Sequence, residues 1–252
     1  MLRAAPNPAE SRDKNALFSL LERCFPEDST DFRNAVIERL FRPEETLVVR
    51  DGEKLVSAVM LPRFTLDSGE TFGYIYCLCT VPEYRGMGLM RRLMDSAHEF
   101  CARRGDAFTA LVPADAGLAL TYGKMGYVPA GFCLSGEKPG PKPRGRPGEF
   151  SDIPFLNALY EREFAAAGHI GRDERLWKTL MALYGADGGG IRVFDGGYLM
   201  LERMGEELRI REKAGEVPPA GGSFLLPSLD GTPRVFARGA GERKLLLNLL
   251  FD

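Results

Sequence analysis

The sequence lacks any apolar run close to the ~20 residues that a membrane-spanning helix needs. Its longest candidate, Leu245 to Phe251, is interrupted by Asn248 and is strand-sized. The first eight residues, Met1 to Pro8, have no apolar segment of the signal-peptide kind. Histidine is scarce: His98 and His169 are the whole supply, and neither lies near a Cys-x-x-Cys pair. The five cysteines (Cys24, Cys77, Cys79, Cys101, Cys133) are odd in number and scattered. They suit neither a disulfide framework nor a zinc site, so no metal is expected. A surplus of one charge is also missing. Lys and Arg number 33 against 35 Asp and Glu, a net charge of −2, which excludes a chain-wide electrostatic grip on nucleic acid. The expectation is a cytoplasmic protein with no membrane or nucleic-acid partner. What is present is ordinary for a globular chain: 44% hydrophobic and 27% charged residues over 252 positions, enough for one or two domains. Its 29 glycines and 17 prolines predict many turns and at least one linker.

Ala16, Leu17, Leu20, Leu21 and Cys24 recur at helical spacing up to Pro26. Ser29, Thr30 and Asp31 can cap a second helix that carries Phe32, Val36, Ile37, Leu40 and Phe41. Two strands, 46–50 and 54–61, are joined by Asp51-Gly52, a hairpin signal. Residues 71–81 are apolar or aromatic almost throughout, which predicts one strand covered on both faces. A helix then carries Leu89, Met90, Leu93, Met94, Ala97, Phe100 and Cys101, followed by a strand at 107–112, a helix near 116–125 and a strand after Tyr127. This order describes an α/β domain over residues 1–135. Residues 136–148, rich in Pro, Gly and basic side chains, read as a linker, and 149–252 as a second domain. There, two helices (Ile153 to Phe164, then Leu176 to Tyr184) precede strands at 191–194, 198–203 and 208–212, with later ones near Phe224, Val235 and Leu245. Helices before strands is also how the first domain begins, which suggests a degenerate structural repeat. Trp177 is expected in the core.

The chemistry concentrates in Cys79-Thr80-Val81-Pro82-Glu83-Tyr84-Arg85-Gly86-Met87-Gly88-Leu89-Met90. A buried strand runs into a glycine turn that opens an amphipathic helix. Gly86 and Gly88 leave backbone N–H groups unobstructed at the positive end of a helix dipole, a site suited to phosphate, with Arg85, Arg91 and Arg92 at its mouth. A bare strand–helix connection needing glycine is the simpler alternative. The dinucleotide fingerprint fits less well, although Asp106 lies at about the right distance: its third glycine position is Arg91, and three strands precede the turn. A P-loop is excluded because no Gly-Lys-Ser/Thr follows.

Val81 to Gly88 resembles the acetyl-CoA pyrophosphate loop of the GCN5-related N-acetyltransferases (GNATs), whose pattern is Arg/Gln-x-x-Gly-x-Gly/Ala. Arg85 and Gly88 match, while Met90 departs from the usual small residue. The same departure occurs in the subgroup resembling the enhanced intracellular survival (Eis) acetyltransferases. Tyr122-Gly123-Lys124-Met125-Gly126-Tyr127 and Gly171-Arg172-Asp173-Glu174-Arg175-Leu176-Trp177 are also similar to that subgroup. No counterpart of its third, sterol-carrier-like domain is expected in this shorter chain. The resemblance implies an α/β fold with a GNAT-type mixed central sheet and flanking helices, followed by a smaller, degenerate GNAT-like α+β domain.

It also implies acetyl-CoA as co-substrate. The pantetheine arm would pair with the backbone of Leu78, Cys79 and Thr80, and turn amides from Arg85 through Gly86, Met87, Gly88 and Leu89 to Met90 would hold the pyrophosphate. Direct attack by a primary amine, on a small molecule or a peptide, needs an acid for the departing thiolate and a base for the ammonium proton. By family position the acid is Tyr122. For the base, the terminal carboxylate of Asp252 is the family's suggestion, with Glu83 or a water as alternatives. Asp67, Glu70, Glu83, Asp115 and Asp252 could make an acidic groove for a cationic acceptor. Cys77 and Cys79 read as core residues rather than as an acetyl carrier. Two rival functions are a noncatalytic acyl-CoA-binding sensor, which need not keep Tyr122, and a tandem transferase using aminoacyl-tRNA, which the net charge disfavours. Self-association is compatible with the sequence but not indicated by it.

Overall fold

A computed structural model describes residues 5–165, 168–241 and 243–246. The chain forms two compact units. Among the described residues, those up to Phe64 together with Glu70–Leu111 make the first, and Thr65–Gly69 with those from Val112 onward make the second.

The first unit opens on β1 (Asn7–Pro8), a 3-10 turn at Ser11–Asp13, α1 (Lys14–Cys24) and α2 (Thr30–Leu40). The α1 stripe buries Leu17, Leu20 and Leu21, and fully burying such side chains stabilises by ~1.5–3 kcal/mol each. Ser29 caps α2, its hydroxyl accepting the Phe32 N–H at 2.9 Å. The predicted hairpin is present as β2 (Thr46–Asp51) and β3 (Lys54–Met60), and β4 (Arg63–Thr65) follows.

Residues 71–81 are not the single strand that their apolar run predicts. They form β5 (Thr71–Tyr74) and β6 (Tyr76–Thr80). β5 pairs in parallel with β7 (Phe108–Leu111), and the pairing extends to Ile75, whose N–H donates to Ala110 at 2.8 Å. β6 leaves that partner and pairs antiparallel with β3. Within β6, Cys77 has φ +49°, left-handed space that an L-residue seldom occupies, and it lies where the pairing with β3 shifts register. Both pieces stay largely covered, so the hydrophobic pattern runs on while the strand changes partner. Between β6 and β7 lies α3 (Leu89–Arg104), packed on β2, β3, β6 and β7 through Leu89, Leu93, Met94, Ala97 and Cys101.

The second unit contains α4 (Ala116–Gly123), β8 (Val128–Lys138), β9 (Arg146–Pro147), a 3-10 turn at Phe150–Asp152, α5 (Ile153–Phe164) and α6 (Glu174–Ala186). Five strands follow: β10 (Gly190–Val193), β11 (Gly196–Met204), β12 (Glu207–Glu216), β13 (Gly222–Ser228) and β14 (Thr232–Arg238). Its strand order is β14-β8-β13-β12-β11-β10-β9, antiparallel except for β12–β13. The Pro/Gly-rich stretch is strand at both ends, since residues 136–138 complete β8 and 146–147 form β9. Among the described residues near Leu245 there is no strand, only an isolated parallel bridge between His169 and Leu246.

One order of elements occurs in each unit. A short strand, a 3-10 turn, two helices, a hairpin and its third strand occur in both, as β1 to β6 (with β4 and β5 between hairpin and third strand) and as β9 to β12. Each short strand lies antiparallel beside the first hairpin strand. Each 3-10 turn closes on the same capping box: the Glu10 N–H donates to Asp13 at 2.6 Å, and the Glu149 N–H to Asp152 at 2.8 Å. Trp177 is fully buried, as expected, edge-on to Tyr160 and Tyr198.

Candidate active site

In the sheet β1-β2-β3-β6, β6 is the outer strand. The Val81 N–H donates to Val56 at 3.0 Å, and the Ser57 hydroxyl to the Cys79 carbonyl at 2.6 Å. Residues 79 and 81 therefore face β3. By strand alternation, the backbone of Leu78 and the amide of Thr80 face the opposite edge. Among the described residues β7 pairs with β5 and not with β6, so the two strands part beyond Ile75 and leave that edge open. The Thr80 carbonyl, on the same side, accepts Arg85 Nε at 3.1 Å.

After β6, Pro82–Tyr84 makes one 3-10 turn, held by Tyr84 and Arg85 N–H groups on the Val81 and Pro82 carbonyls. Tyr84 also anchors outward, its hydroxyl on Asp51 at 2.6 Å. Gly86 and Gly88 then take φ +76° and +75°, and no atom lies within 4 Å of where either Cβ would stand. Gly88 is the N-cap of α3, and no side chain caps that end. The first-turn amides of Leu89, Met90 and Arg91 consequently have no intrahelical acceptor. Leu89 has its side chain in the core and offers only its backbone, whereas Arg85 and Met87 are exposed. An uncapped helix N-terminus reached through two Cβ-free positions fits an anionic diphosphate.

In the second unit Tyr122 closes α4 and is buried, edge-on to Tyr127 at 5.9 Å. Its carbonyl accepts the N–H groups of Met125 and Tyr127, which fold the glycine-bearing turn back under the ring. Burial, with the Asp115 charge adding to it, pushes the phenol up to about 12.

Residues 6–130 match the Acetyltransferase (GNAT) domain family. The first half of the chain is a GNAT acetyltransferase domain. No curated protein matches the sequence. Among solved structures, a GCN5-related N-acetyltransferase from Anabaena variabilis is similar at TM-score 0.67 and 18% identity, over 94% of this chain and 72% of that one. Eis1 from Mycobacterium abscessus is similar at TM-score 0.65 and 14% identity, over 96% and 73%. A GCN5-related N-acetyltransferase from Kribbella flavida gives 0.64 and 16%, over 96% and 71%. At these identities the likeness is one of fold, a mixed α/β sheet with flanking helices. The family domain makes the chain an acyltransferase of the GNAT kind.

Against that family background the remaining candidates sort by environment. Glu83 is exposed, ion-paired to Arg23 at 2.5 Å, and held below the usual carboxylate range by its own backbone amide and by Arg23. Glu70 stands half-buried just before β5, and Asp115 caps α4 by accepting the Leu118 N–H at 2.7 Å. Asp252 lies outside the described residues. His169 does have partners: its Nε2 is 3.0 Å from Glu161 and its Nδ1 3.6 Å from Asp67, with the ring almost fully buried. One grouping escapes a sequence reading. Arg172 bonds Glu212 through both Nη atoms at 2.7 Å, stacks 3.8 Å from the Tyr160 ring centre, and shares Glu212 with the Tyr198 hydroxyl at 2.6 Å. Arg172 stands inside the Gly171-to-Trp177 stretch, but its partner is 40 residues away, and no local pattern marks it.

Proposed function

We propose that this chain is an acetyl-CoA-dependent N-acetyltransferase that passes the acetyl group directly to a primary amine, with Tyr122 as general acid. The observation that carries the reading is the open edge of β6 leading into the uncapped N-terminus of α3 through Gly86 and Gly88. Leu78 and Thr80 would hold the pantetheine amides as a further strand would. The amides from Gly86 to Met90, with Arg85 beside them, would hold the pyrophosphate. Acetyl-CoA supplies a thioester carbon open to an amine and a thiolate that departs. Tyr122 holds a proton at its phenol oxygen throughout the working pH range, as a donor to that thiolate must. Of the two carboxylates named as base, the terminal one of Asp252 is the stronger proposal, because Glu83 is exposed, ion-paired and a weakened base. Asp67, with Glu161 beside it on His169, adds negative charge in the second unit and favours a cationic acceptor.

The test is thiol release from acetyl-CoA over polyamines, aminoglycosides and lysyl peptides, for wild type and Tyr122→Phe. Wild-type release that falls roughly tenfold or more in the variant supports the assignment, in line with the usual worth of a general acid. Equal release keeps the transferase and removes Tyr122 from the mechanism. Binding of acetyl-CoA without release on any acceptor would favour the noncatalytic sensor.

A further inference from the structure

Three consecutive side chains of the turn before the α3 amides reach three other elements. Glu83 pairs with Arg23 in the last turn of α1, Tyr84 donates to Asp51 at the end of β2, and Arg85 returns to the Thr80 carbonyl of β6. Of these, the Tyr84 bond is least open to competition. The Glu83 pair is exposed and of the kind that salt screens, and the Arg85 guanidinium stands beside the open amides, where an anion would draw it. The Tyr84 hydroxyl gives its proton to a carboxylate at 2.6 Å, at the short end for a hydroxyl donor. That bond raises the phenol above its ordinary value, so the hydroxyl remains the donor. Asp51 and Lys54 are the closing pair of the β2–β3 hairpin. Asp51 takes the hydroxyl, and the Lys54 ammonium lies 5.8 Å from the centre of the same ring. The hairpin end thus holds one tyrosine at its hydroxyl and at its face. The second unit supplies a comparison. It also carries Asp-Gly at its hairpin turn, Asp195-Gly196, and Val-Pro after its third strand, Val217-Pro218. Where the first unit continues Glu83-Tyr84, the second continues Pro219-Ala220, neither of which has a side-chain donor, and that turn leads into β13. The tyrosine is present at the turn that opens a helix and absent from the one that does not.

We propose that Tyr84 and Asp51 are positioning residues for acetyl-CoA: their hydrogen bond fixes the Pro82–Tyr84 turn to the β2–β3 hairpin and so orders, in advance, the amides that receive the diphosphate. A turn already fixed loses less freedom when the ligand arrives, and the saving appears as affinity. Asp51, whose partner stands two residues before Gly86, also brings a negative charge towards an anion site, which by itself opposes binding. Bond and charge therefore act with opposite signs, and substitutions separate them. The inference rests on the functional reading above, which supplies the diphosphate.

Acetyl-CoA affinity of the full chain is measured by titration calorimetry, beside steady-state kinetics. Tyr84→Phe, which deletes one hydroxyl, is expected to weaken binding roughly three- to tenfold, the usual net worth of one hydrogen bond. KM for acetyl-CoA should rise by the same factor, while kcat at saturation stays within about twofold of wild type. Asp51→Ala should weaken binding as much, and the double variant no further. Asp51→Asn keeps an acceptor and loses the charge, so its affinity should match or exceed that of wild type. Wild-type affinity in Tyr84→Phe overturns the proposal, and so does tighter binding by Asp51→Ala, which would show that only the charge is felt. Amide exchange in the ligand-free chain reads the same bond without acetyl-CoA. The Tyr84 and Arg85 N–H groups, which donate to the Val81 and Pro82 carbonyls, should exchange roughly threefold faster or more in Tyr84→Phe. If wild type binds no acetyl-CoA, the functional reading fails and exchange alone decides the ordering: faster exchange in the variant supports it, and unchanged exchange overturns it.

Discussion

A buried phenol keeps its proton, and at Tyr122 burial moves the loss of that proton to about pH 12. A general acid is active in its protonated form, so a raised value extends the active range upward. Wild-type kcat should show no alkaline limb due to Tyr122 below about pH 11. Tyr122→Phe should lower kcat at every pH and leave the profile's shape unchanged. A limb near pH 9 that disappears in the variant would show instead that Tyr122 gives up its proton there and that burial does not hold it. The turn glycines act through backbone alone. Gly88→Ala forces an L-residue into left-handed space at a cost of about 1–2 kcal/mol, although nothing crowds the new Cβ. Gly105→Ala is the matched control at the other end of α3, also left-handed (φ +82°) and equally uncrowded. Both should lower the urea midpoint similarly, but only Gly88→Ala should weaken acetyl-CoA binding, by roughly tenfold. Equal affinities would show that the turn holds no pyrophosphate. Gly86 and Gly88 were legible because turn chemistry selects glycine. The break between β5 and β6 was not, because the apolar pattern runs on through it, and Cys77 at φ +49° is an ordinary L-residue that leaves no such trace.

Helices and hairpins were the most legible elements, because apolar spacing, Ser29 as a cap and Asp51-Gly52 as a turn are all local signals. The two capping boxes show how local chemistry becomes element stability. Asp13 is nearly buried and bonds Arg50 at 2.6 Å; Asp152 bonds Arg146 at 2.7 Å. Burial raises Asp13, but Arg50 and the Glu10 amide outweigh it and hold its carboxyl below the usual value. Arg146 and the Glu149 amide do the same for Asp152. A lowered carboxyl stabilises fully above the unfolded value of about 4 and loses that contribution as pH falls through the folded value. The urea midpoint should therefore drop as pH falls below about 4, and Asp13→Asn should flatten that drop while lowering stability at pH 7 by about 1–3 kcal/mol. Long-range pairing is where the sequence is silent. Arg172 and Glu212 join a loop to β12 with both charges desolvated, which spacing cannot announce. Removing one partner strands the other charge, so Glu212→Gln should cost about 3–5 kcal/mol in urea unfolding. Tyr198→Phe, which deletes one donor to the same carboxylate, should cost about 1–3 kcal/mol. A neutral Glu212→Gln would mean that Arg172 finds another acceptor.

Across the whole chain, the repeated order of elements raises the question of a second cofactor site, and the third strand of each repeat answers it. In the first unit β6 runs into Val81-Pro82, two open left-handed glycines and the uncapped end of α3. In the second unit β12 runs into Val217-Pro218, the same pair of residues, and then Gly221 and Gly222 lead into β13, which pairs in parallel with β12. No helix N-terminus follows, so no dipole or set of first-turn amides converges there. The turn itself is filled: the Gly221 N–H is spent on the Pro141 carbonyl at 2.8 Å, and a Cβ at Gly221 would collide with the backbone of Gly140. The Pro/Gly-rich stretch that reads as linker thus occupies the place where a diphosphate would need open amides. The expected stoichiometry by titration calorimetry is one acetyl-CoA per chain, abolished or weakened as a single class of sites by Gly88→Ala. A second class of sites that survives Gly88→Ala and is lost when Lys142, Arg144 and Arg146 are replaced by alanine would show instead that the second unit retained a cofactor turn of its own.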